Sequence, residues 1–227
     1  MKFNNKKVII TGGDRGIGKE LVKVLINKGV ADFAIMSRSL SGLDALNSEF
    51  PAVNFIGLKG NVADSADIKK AVAKIMQDWG SLDMLVHNAG VVSAGSLLDM
   101  SDEDISTQIQ VNLIGPALLT KHCIPLLKKS DEPQIINLSS GLGLIAMPFY
   151  SVYAITKAGI RQFSDAIRRE FAPDNIHILC VYPTATDTDM MENSKRENMD
   201  SPEMVAKESI AALERGDINI VFGGRQR

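Results

Sequence analysis

Short apolar runs alternate along the chain with longer segments of helical period, and this alternation restricts the fold more than any other feature. Between the runs, apolar residues recur every three or four positions, as in Ile17, Leu21 and Val24. The runs have the length of buried strands and lie at 8–10, 33–36, 53–56, 84–86, 135–138, 176–181 and 218–222. Strands that alternate with helices predict an α/β fold, a doubly wound sheet of about seven parallel strands with helices on both faces.

Composition is typical of a soluble globular chain. The 227 residues are 45% hydrophobic, and 25 basic side chains stand against 27 acidic ones. We therefore expect one domain over residues 1–227, and neither nucleic acid nor membrane as a partner. Cys123 and Cys180 fit reduced core thiols, and with no leader or membrane-spanning run in view we expect a cytoplasmic location. The polar stretch 184–200 fits either a solvated loop or a small lid over a substrate site.

Three helix starts can be read from capping residues. Asp64, Ser101 and Ser201 each precede a helical pattern and are plausible N-caps, and Pro202 suits a first helical position. These starts support the division into strands and helices.

The first strand leads into a glycine-rich turn, Thr-Gly-Gly-Asp-Arg-Gly-Ile-Gly at 11–18, and a helix follows it. A strand, a tight turn and a helix N-terminus present backbone N–H groups to a phosphate, as in Rossmann-like dinucleotide sites. A triphosphate-binding loop is the competing motif, but Glu20 stands where a magnesium-binding hydroxyl is needed. A purely structural turn stays as the other alternative.

The end of the second strand indicates which dinucleotide binds. NAD enzymes usually place an acid there for the ribose hydroxyls, whereas this chain has Ser37 and Arg38. Arg15, within the glycine turn, is a second cation that the fold could bring near a 2′-phosphate. The sequence therefore favours NADP(H) over NAD(H).

Tyr153 and Lys157 are four residues apart in a segment of helical period, so they share one helix face. A phenol has a pKa of about 10, and a nearby cation favours its ionised form. Ser140 follows the strand at 135–138, and Asn88 follows the strand at 84–86, so both lie at strand ends where parallel sheets bind ligands. The residues fit general acid–base chemistry.

Taken together, these motifs resemble those of the short-chain dehydrogenase/reductase family, in its classical single-domain form. Residues 11–18 are similar to the family's cofactor turn, 87–90 to its Asn-Asn-Ala-Gly motif and 183–188 to its Pro-Gly-x-x-x-Thr motif. The resemblance implies four catalytic residues: Asn112, Ser140, Tyr153 and Lys157. It implies cofactor contacts at Thr11, Gly12, Gly13, Asp14, Arg15, Gly16, Ile17, Gly18, Ser37, Arg38, Asn61, Val62, Asn88, Ala89, Gly90, Val111, Tyr153, Lys157, Pro183, Thr184, Thr186 and Thr188.

The resemblance also implies a role for each catalytic residue. Tyr153 would protonate the carbonyl oxygen as hydride reaches the carbon, and Ser140 would orient that oxygen. Lys157 would lower the Tyr153 pKa and hold the nicotinamide ribose, while Asn112 would anchor a water that relays protons.

Three positions depart from the family pattern. His87 replaces the first Asn of Asn-Asn-Ala-Gly, Asn61 replaces an Asp at the adenine pocket, and Thr184 replaces a Gly beside the nicotinamide. His122 and His177 fit a solvated helix and a strand start better than a metal site, so no metal is expected.

The substrate pocket is expected between 140–150, 91–100 and the lid. Its apolar candidates are Leu142, Leu144, Met147, Phe149 and Tyr150 on one wall and Val92, Leu97 and Leu98 on another. They fit an uncharged carbonyl compound, and core or subunit-interface packing is the alternative reading.

Three functions remain open at this point. The first is an NADPH-dependent reductase of an aldehyde, ketone or diketone, and the second is a 3-oxoacyl-[acyl-carrier-protein] reductase with a basic patch at Lys128, Lys129, Arg168 and Arg169. The third is a dinucleotide-binding regulator without turnover. The resemblance further implies a homodimer or homotetramer that pairs through the helices near 101–128 and 150–171.

Overall fold

The strands follow the apolar runs of the sequence closely. In the computed structural model, which describes residues 3–188 and 199–223, they are β1 (Lys7–Thr11), β2 (Asp32–Ser37), β3 (Asn54–Lys59), β4 (Met84–His87), β5 (Gln134–Leu138), β6 (His177–Tyr182) and β7 (Asn219–Val221). Across these described residues the strands form one sheet in the order β3-β2-β1-β4-β5-β6-β7, and every pairing is parallel. The predicted fold class is confirmed.

Helices connect the strands, and three of them begin where the capping residues predict. They are α1 (Gly16–Asn27), α2 (Leu43–Glu49), α3 (Ser65–Asp78), α4 (Asp102–Ile109), α5 (Gly115–Leu127), α6 (Ser151–Glu170) and α7 (Pro202–Arg215). The side chains of Asp64, Ser101 and Ser201 accept hydrogen bonds from backbone N–H groups of the first turns of α3, α4 and α7. A π-helical segment (Gln110–Ile114) joins α4 to α5 without a break.

The core consists of two apolar layers, one on each face of the sheet. Because alternate residues of a strand point to opposite faces, Val8 and Ile10 pack in one layer and Ile9 packs in the other. The first layer includes side chains of α1 and α7, and the second includes side chains of α3, α5 and α6. Complete burial of one such side chain contributes about 1.5–3 kcal/mol to folding.

The strand order creates a crevice at one edge of the sheet. Strand β1 lies between β2 and β4, and the chain crosses over β1 on its way from β3 to β4. Ligands of doubly wound sheets bind at such a switch point, outside the carboxyl ends of the strands. Among the described residues, no helix combines the length and apolar character that crossing a bilayer requires.

Candidate active site

A cleft of about 670 Å³ lies along the carboxyl ends of the strands, where the strand order predicts a ligand. Most of the residues singled out from the sequence line it. These are Gly12, Asp14, Arg15, Gly16, Ile17, Ser37, Arg38, Asn61, Val62, Asn88, Ala89, Gly90, Val111, Ser140, Leu142, Met147, Tyr150, Tyr153, Lys157, Pro183, Thr184, Thr186 and Thr188. Thr11, Gly13, Gly18, Asn112 and Phe149 do not line it.

The glycine turn leaves backbone where a side chain would otherwise stand. Gly12 and Gly16 adopt φ of +63° and +52°, a region that favours glycine. A Cβ at Gly18 would lie 2.1 Å from the Gly12 carbonyl oxygen, and one at Gly13 would lie 2.5 Å from the Ile10 side chain. Gly13 and Gly18 therefore serve close packing of the turn rather than direct contact with a ligand.

Two polar side chains fix the turn against β4. The buried Thr11 hydroxyl donates to the Val86 carbonyl (3.3 Å) and accepts from the backbone N–H groups of Asn88 and Ala89 (3.0 Å each). The Asn88 side chain donates to the carbonyls of Thr11 (3.0 Å) and Gly12 (2.9 Å). The turn is thus held rigidly, and the N-terminus of α1 faces the cleft.

Two cations and one carboxylate line the cleft beside the ends of β1 and β2. The cations are Arg15, in the glycine turn, and Arg38, directly after β2. Ser37 donates a hydrogen bond of 3.1 Å to Asp14, whose carboxylate is buried beside it. The second strand ends without an acid, and the glycine turn places the Asp14 carboxylate beside Ser37.

The other end of the cleft holds the acid–base group on α6. Tyr153 and Lys157 lie one turn apart, and the Lys157 Nζ atom is 5.6 Å from the centre of the Tyr153 ring. Lys157 is buried and donates to the Leu138 carbonyl at 2.9 Å. Ser140, at the start of a 3₁₀ turn (Gly141–Gly143), hydrogen-bonds to the Tyr153 side chain.

Burial controls the protonation of this group. It raises the pKa of Tyr153 to about 12, and the hydrogen bond with Ser140 acts in the opposite direction. Burial also lowers the pKa of Lys157 to about 8. The net lowering of the Tyr153 pKa that the resemblance implies is not seen, because burial is the larger effect and the Lys157 ammonium group donates to the Leu138 carbonyl. At neutral pH Tyr153 is a protonated phenol that can donate its proton.

Asn112 lies behind the wall of the cleft. Its side-chain oxygen accepts from the Val91 N–H (2.8 Å), and its amide hydrogens go to the Val91 carbonyl (2.8 Å) and the Thr156 hydroxyl (3.2 Å). The side chain therefore holds the segment after β4 against α6. Asn112 would therefore take part in proton transfer only through the Thr156 hydroxyl or through its own main-chain groups.

The segment that begins with Pro183 enters the cleft after β6. Of the predicted lid at 184–200, residues 189–198 lie outside the described residues. Hydrogen bonds join its two described ends. The Thr184 hydroxyl donates to the Asp200 carboxylate. The Asp187 N–H donates to the Asp200 carbonyl, and the Asp200 N–H donates to the Ala185 carbonyl, at 2.9 Å each.

The histidines take structural positions. His87 is buried, hydrogen-bonded to Thr120 at 2.8 Å, and burial lowers its pKa to about 3. His177 begins β6 and contacts the Asp217 carbonyl at 3.0 Å. Within 3–188 and 199–223 the structure brings no three metal-binding side chains together.

Several lining residues were missed from the sequence. Ser106, Thr107 and Gln110, from α4 and the π-helical segment, reach the cleft, as does Ile145 before α6. The polar spacing of Ser106 and Gln110 along one helix face was a usable signal. By contrast, the predicted pocket residues Leu97, Leu98, Leu144 and Phe149 are exposed and lie outside the lining.

Comparison with known proteins agrees with this geometry. A family model described as short chain dehydrogenase matches residues 6–199. The chain is 33% identical to a 3-oxoacyl-[acyl-carrier-protein] reductase FabG of Escherichia coli, over 84% of this chain and 77% of the relative. It is 32% identical to the oxidoreductase UcpA of Salmonella typhimurium, over 93% of this chain and 81% of the relative.

Solved structures show the same architecture. A short-chain dehydrogenase from Burkholderia cenocepacia, in complex with NADP, superposes with a TM-score of 0.87 at 26% identity, over 96% of this chain and 95% of that one. A short-chain dehydrogenase from Sphingobium yanoikuyae, in complex with NADPH, gives a TM-score of 0.89 at 22% identity. The superposition covers 97% of this chain and 88% of that one. The chain therefore belongs to the short-chain dehydrogenase family, oxidoreductases that act on CH–OH and C=O groups with a nicotinamide dinucleotide.

Proposed function

We propose that this protein is an NADPH-dependent reductase of an uncharged aldehyde, ketone or diketone. One observation carries the proposal: Ser140, Tyr153 and Lys157 meet at one end of a cleft whose other end carries Arg15 and Arg38. The first end fits proton donation to a carbonyl oxygen, and the second fits a phosphorylated ribose.

The residues present fit a dinucleotide. At Gly12 and Gly16 the turn presents backbone rather than side chains beside the N-terminus of α1, where a pyrophosphate binds favourably. Arg15 and Arg38 would hold the 2′-phosphate, and Lys157, toward the opposite end, would hold the nicotinamide ribose. Thr188 lies against Gly16 of the glycine turn. The bound cofactor would supply the hydride for the carbonyl carbon.

The chain's own residues would supply the proton and the position. Tyr153 donates its hydroxyl proton to the carbonyl oxygen, and Ser140 hydrogen-bonds to that same oxygen and orients it. The Lys157 cation stabilises the negative charge that develops on the Tyr153 oxygen as the proton leaves. Asn112 keeps the wall of the cleft in place through Val91 and Thr156.

The polarity of the lining supports an uncharged substrate. Among the described lining residues the charged ones are Asp14, Arg15, Arg38 and Lys157. The first three lie at the phosphate end, so Lys157 is the single described charge near the reacting carbonyl. A sugar phosphate or a dicarboxylate would find no further partner among the described residues there.

A 3-oxoacyl-[acyl-carrier-protein] reductase is the second candidate, and similarity to FabG favours it. The basic groups expected to receive an acidic carrier are already engaged. Lys128 pairs with Asp174 at 2.8 Å, and Arg168 and Arg169 both pair with Asp165. Arg168 also lies fifteen residues along α6 from Tyr153, about 22 Å at 1.5 Å per residue.

A panel of substrates separates the candidates. NADPH oxidation is followed with acetoacetyl thioesters, simple aldehydes, ketones and diketones. The proposal predicts turnover of aldehydes, ketones or diketones. Turnover confined to thioesters would identify the second candidate, while tight NADPH binding without turnover of any compound would favour a dinucleotide-binding regulator.

A further inference from the structure

Apolar side chains stand exposed on two loops beside the catalytic end of the cleft. Leu97 and Leu98, after β4, expose 59% and 92% of their surface, and Ile145 and Phe149, before α6, expose 74% and 65%. The Gly95 N–H donates to the Phe149 carbonyl at 2.8 Å, which ties the two loops together. Clustered exposed apolar residues of this kind mark a binding surface. We call these residues, with Met147, the apolar rim.

The apolar rim is continuous with the catalytic cleft. Ile145 and Met147 belong both to the rim and to the lining that contains Tyr153. A molecule whose carbonyl group lies at Tyr153 therefore reaches the rim without crossing a charged side chain among the described residues.

The backbone of Phe149 points to the same surface. Its φ is +67°, in the left-handed region that bulky residues rarely adopt. Strain of this kind is normally offset by packing, yet the ring is mostly exposed. Strained backbone that presents a side chain to solvent is a feature of ligand-binding positions.

We propose that the substrate carbonyl carries an unbranched hydrocarbon chain whose methylene groups lie over the apolar rim. This inference rests on the proposed reductase function and names its substrate class. Ile145 and Met147 contact the part of the chain nearest the carbonyl, and Phe149 contacts the part beyond it.

Binding of straight-chain alcohols tests the inference without requiring turnover. The affinities of 1-hexanol, 1-octanol and 1-decanol are measured by calorimetry on the full chain with NADP⁺ present. A fully buried methylene strengthens binding about fourfold, so a half-covered one strengthens it about twofold. We expect the affinity to rise about 16-fold from hexanol to decanol.

Two variants locate the effect. The first is Phe149→Asn, since Asn suits the left-handed backbone, and the second is Leu98→Ser. We expect each to reduce the rise in affinity from hexanol to decanol to about fourfold or less. The Tm of each variant should equal or exceed that of the wild type. Met76→Ala removes an exposed apolar side chain on α3, outside the cleft lining, and keeps the full rise. A change in Tm alone would indicate a structural role for Phe149.

The outcomes are separable. Equal affinities for the three alcohols overturn the inference, and turnover of short aldehydes by the same protein preserves the reductase proposal. Alcohol affinities that fall as dimers form would assign the rim to a second copy of the chain. Equal affinities together with binding to phosphatidylcholine vesicles would assign the rim to a bilayer. Either result also overturns the inference.

Discussion

Two residues on one turn of α6, Tyr153 and Lys157, have pKa values that burial shifts in opposite directions. The phenol stays protonated to about pH 12, whereas the amine loses its proton near pH 8. We therefore propose that the two groups divide the work: Tyr153 holds the proton, and Lys157 supplies charge that lowers the cost of releasing it.

This division predicts a dependence of the reaction on pH. Lys157 is cationic below its pKa, so kcat/KM for carbonyl reduction should be level below about pH 8 and fall about tenfold per pH unit above it. Tyr153 remains protonated throughout this range. Arginine keeps its charge at these pH values. The remaining kcat/KM of Lys157→Arg should therefore not decrease above the Lys157 pKa. A wild-type profile that is level to pH 10 would contradict the assignment.

The proposed preference for NADPH depends on the cation Arg38. Arg38→Asp removes a cation that would meet the 2′-phosphate and adds a repelling carboxylate beside Asp14. We expect the NADPH/NADH ratio of kcat/KM to fall about 100-fold or more, because a charge-assisted hydrogen bond contributes about 1.5–3 kcal/mol. Binding of adenosine 2′,5′-bisphosphate relative to AMP should weaken in parallel.

Arg161→Asp is the matched control, since Arg161 is an exposed cation on α6 outside the cleft lining. An unaltered NADPH/NADH ratio of kcat/KM in Arg38→Asp would contradict the proposal that Arg38 binds the 2′-phosphate.

At the scale of elements, the glycine turn and α1 pack as one unit, which we propose binds the cofactor. A methyl group at Gly18 would stand 2.1 Å from the Gly12 carbonyl oxygen and 2.5 Å from the Asn88 side chain. Gly18→Ala must therefore displace the turn, and we expect it to cost about 1–3 kcal/mol in the free energy of unfolding. NADPH affinity should fall at least about tenfold.

Gly95→Ala provides the comparison for this prediction, because a Cβ there would meet nothing within 4 Å. Denaturant unfolding and NADPH titration of both variants check the expectation. Equal behaviour of the two variants would show that the turn tolerates a side chain at Gly18.

Elements with local signals were predictable from the sequence, and those set by tertiary contacts were not. Apolar runs located all seven strands to within a few residues, and Asp64, Ser101 and Ser201 located three helix starts. The π-helical segment around Asn112 carries no such signal, because it depends on hydrogen bonds to Val91 and Thr156 across the fold.

The candidate site shows the same limit. The spacing of Tyr153 and Lys157 placed them on one helix face, but the direction of the Lys157 ammonium group and the contact of Asp14 with Ser37 depend on chain segments distant in sequence. The exposure of Leu98 and Phe149 was also unpredictable, since an apolar side chain in a loop carries no sign of which way it points.

At the scale of the whole molecule, apolar side chains are exposed on α6 and on the π-helical segment. Ile155 is exposed on α6 outside the cleft lining, and Ile114 is partly exposed at the end of the π-helical segment. We propose a dimer or tetramer that pairs through these helices. Light scattering at micromolar concentration should give at least twice the chain mass.

Ile155→Lys should shift that mass toward the monomer, because it places a charge in the expected apolar interface. Met76→Lys, a comparable change on α3, should not. A wild-type monomer would refute the dimer.

In the proposed hydride-transfer reaction, Tyr153 donates the proton to the carbonyl oxygen. The most direct measurement follows deuterium from NADPH labelled at nicotinamide C4 into the product alcohol, in a single turnover, by the wild type and by Tyr153→Phe. Tyr182→Phe is the control, since Tyr182 is a tyrosine outside the cleft lining that hydrogen-bonds to Asn219. We predict deuterium on the carbinol carbon of the product with the wild type and the control. In Tyr153→Phe the transfer should be at least about 10³-fold slower. The NADPH Kd of Tyr153→Phe should stay within about threefold of the wild-type value. Transfer by Tyr153→Phe at the wild-type rate would contradict the account.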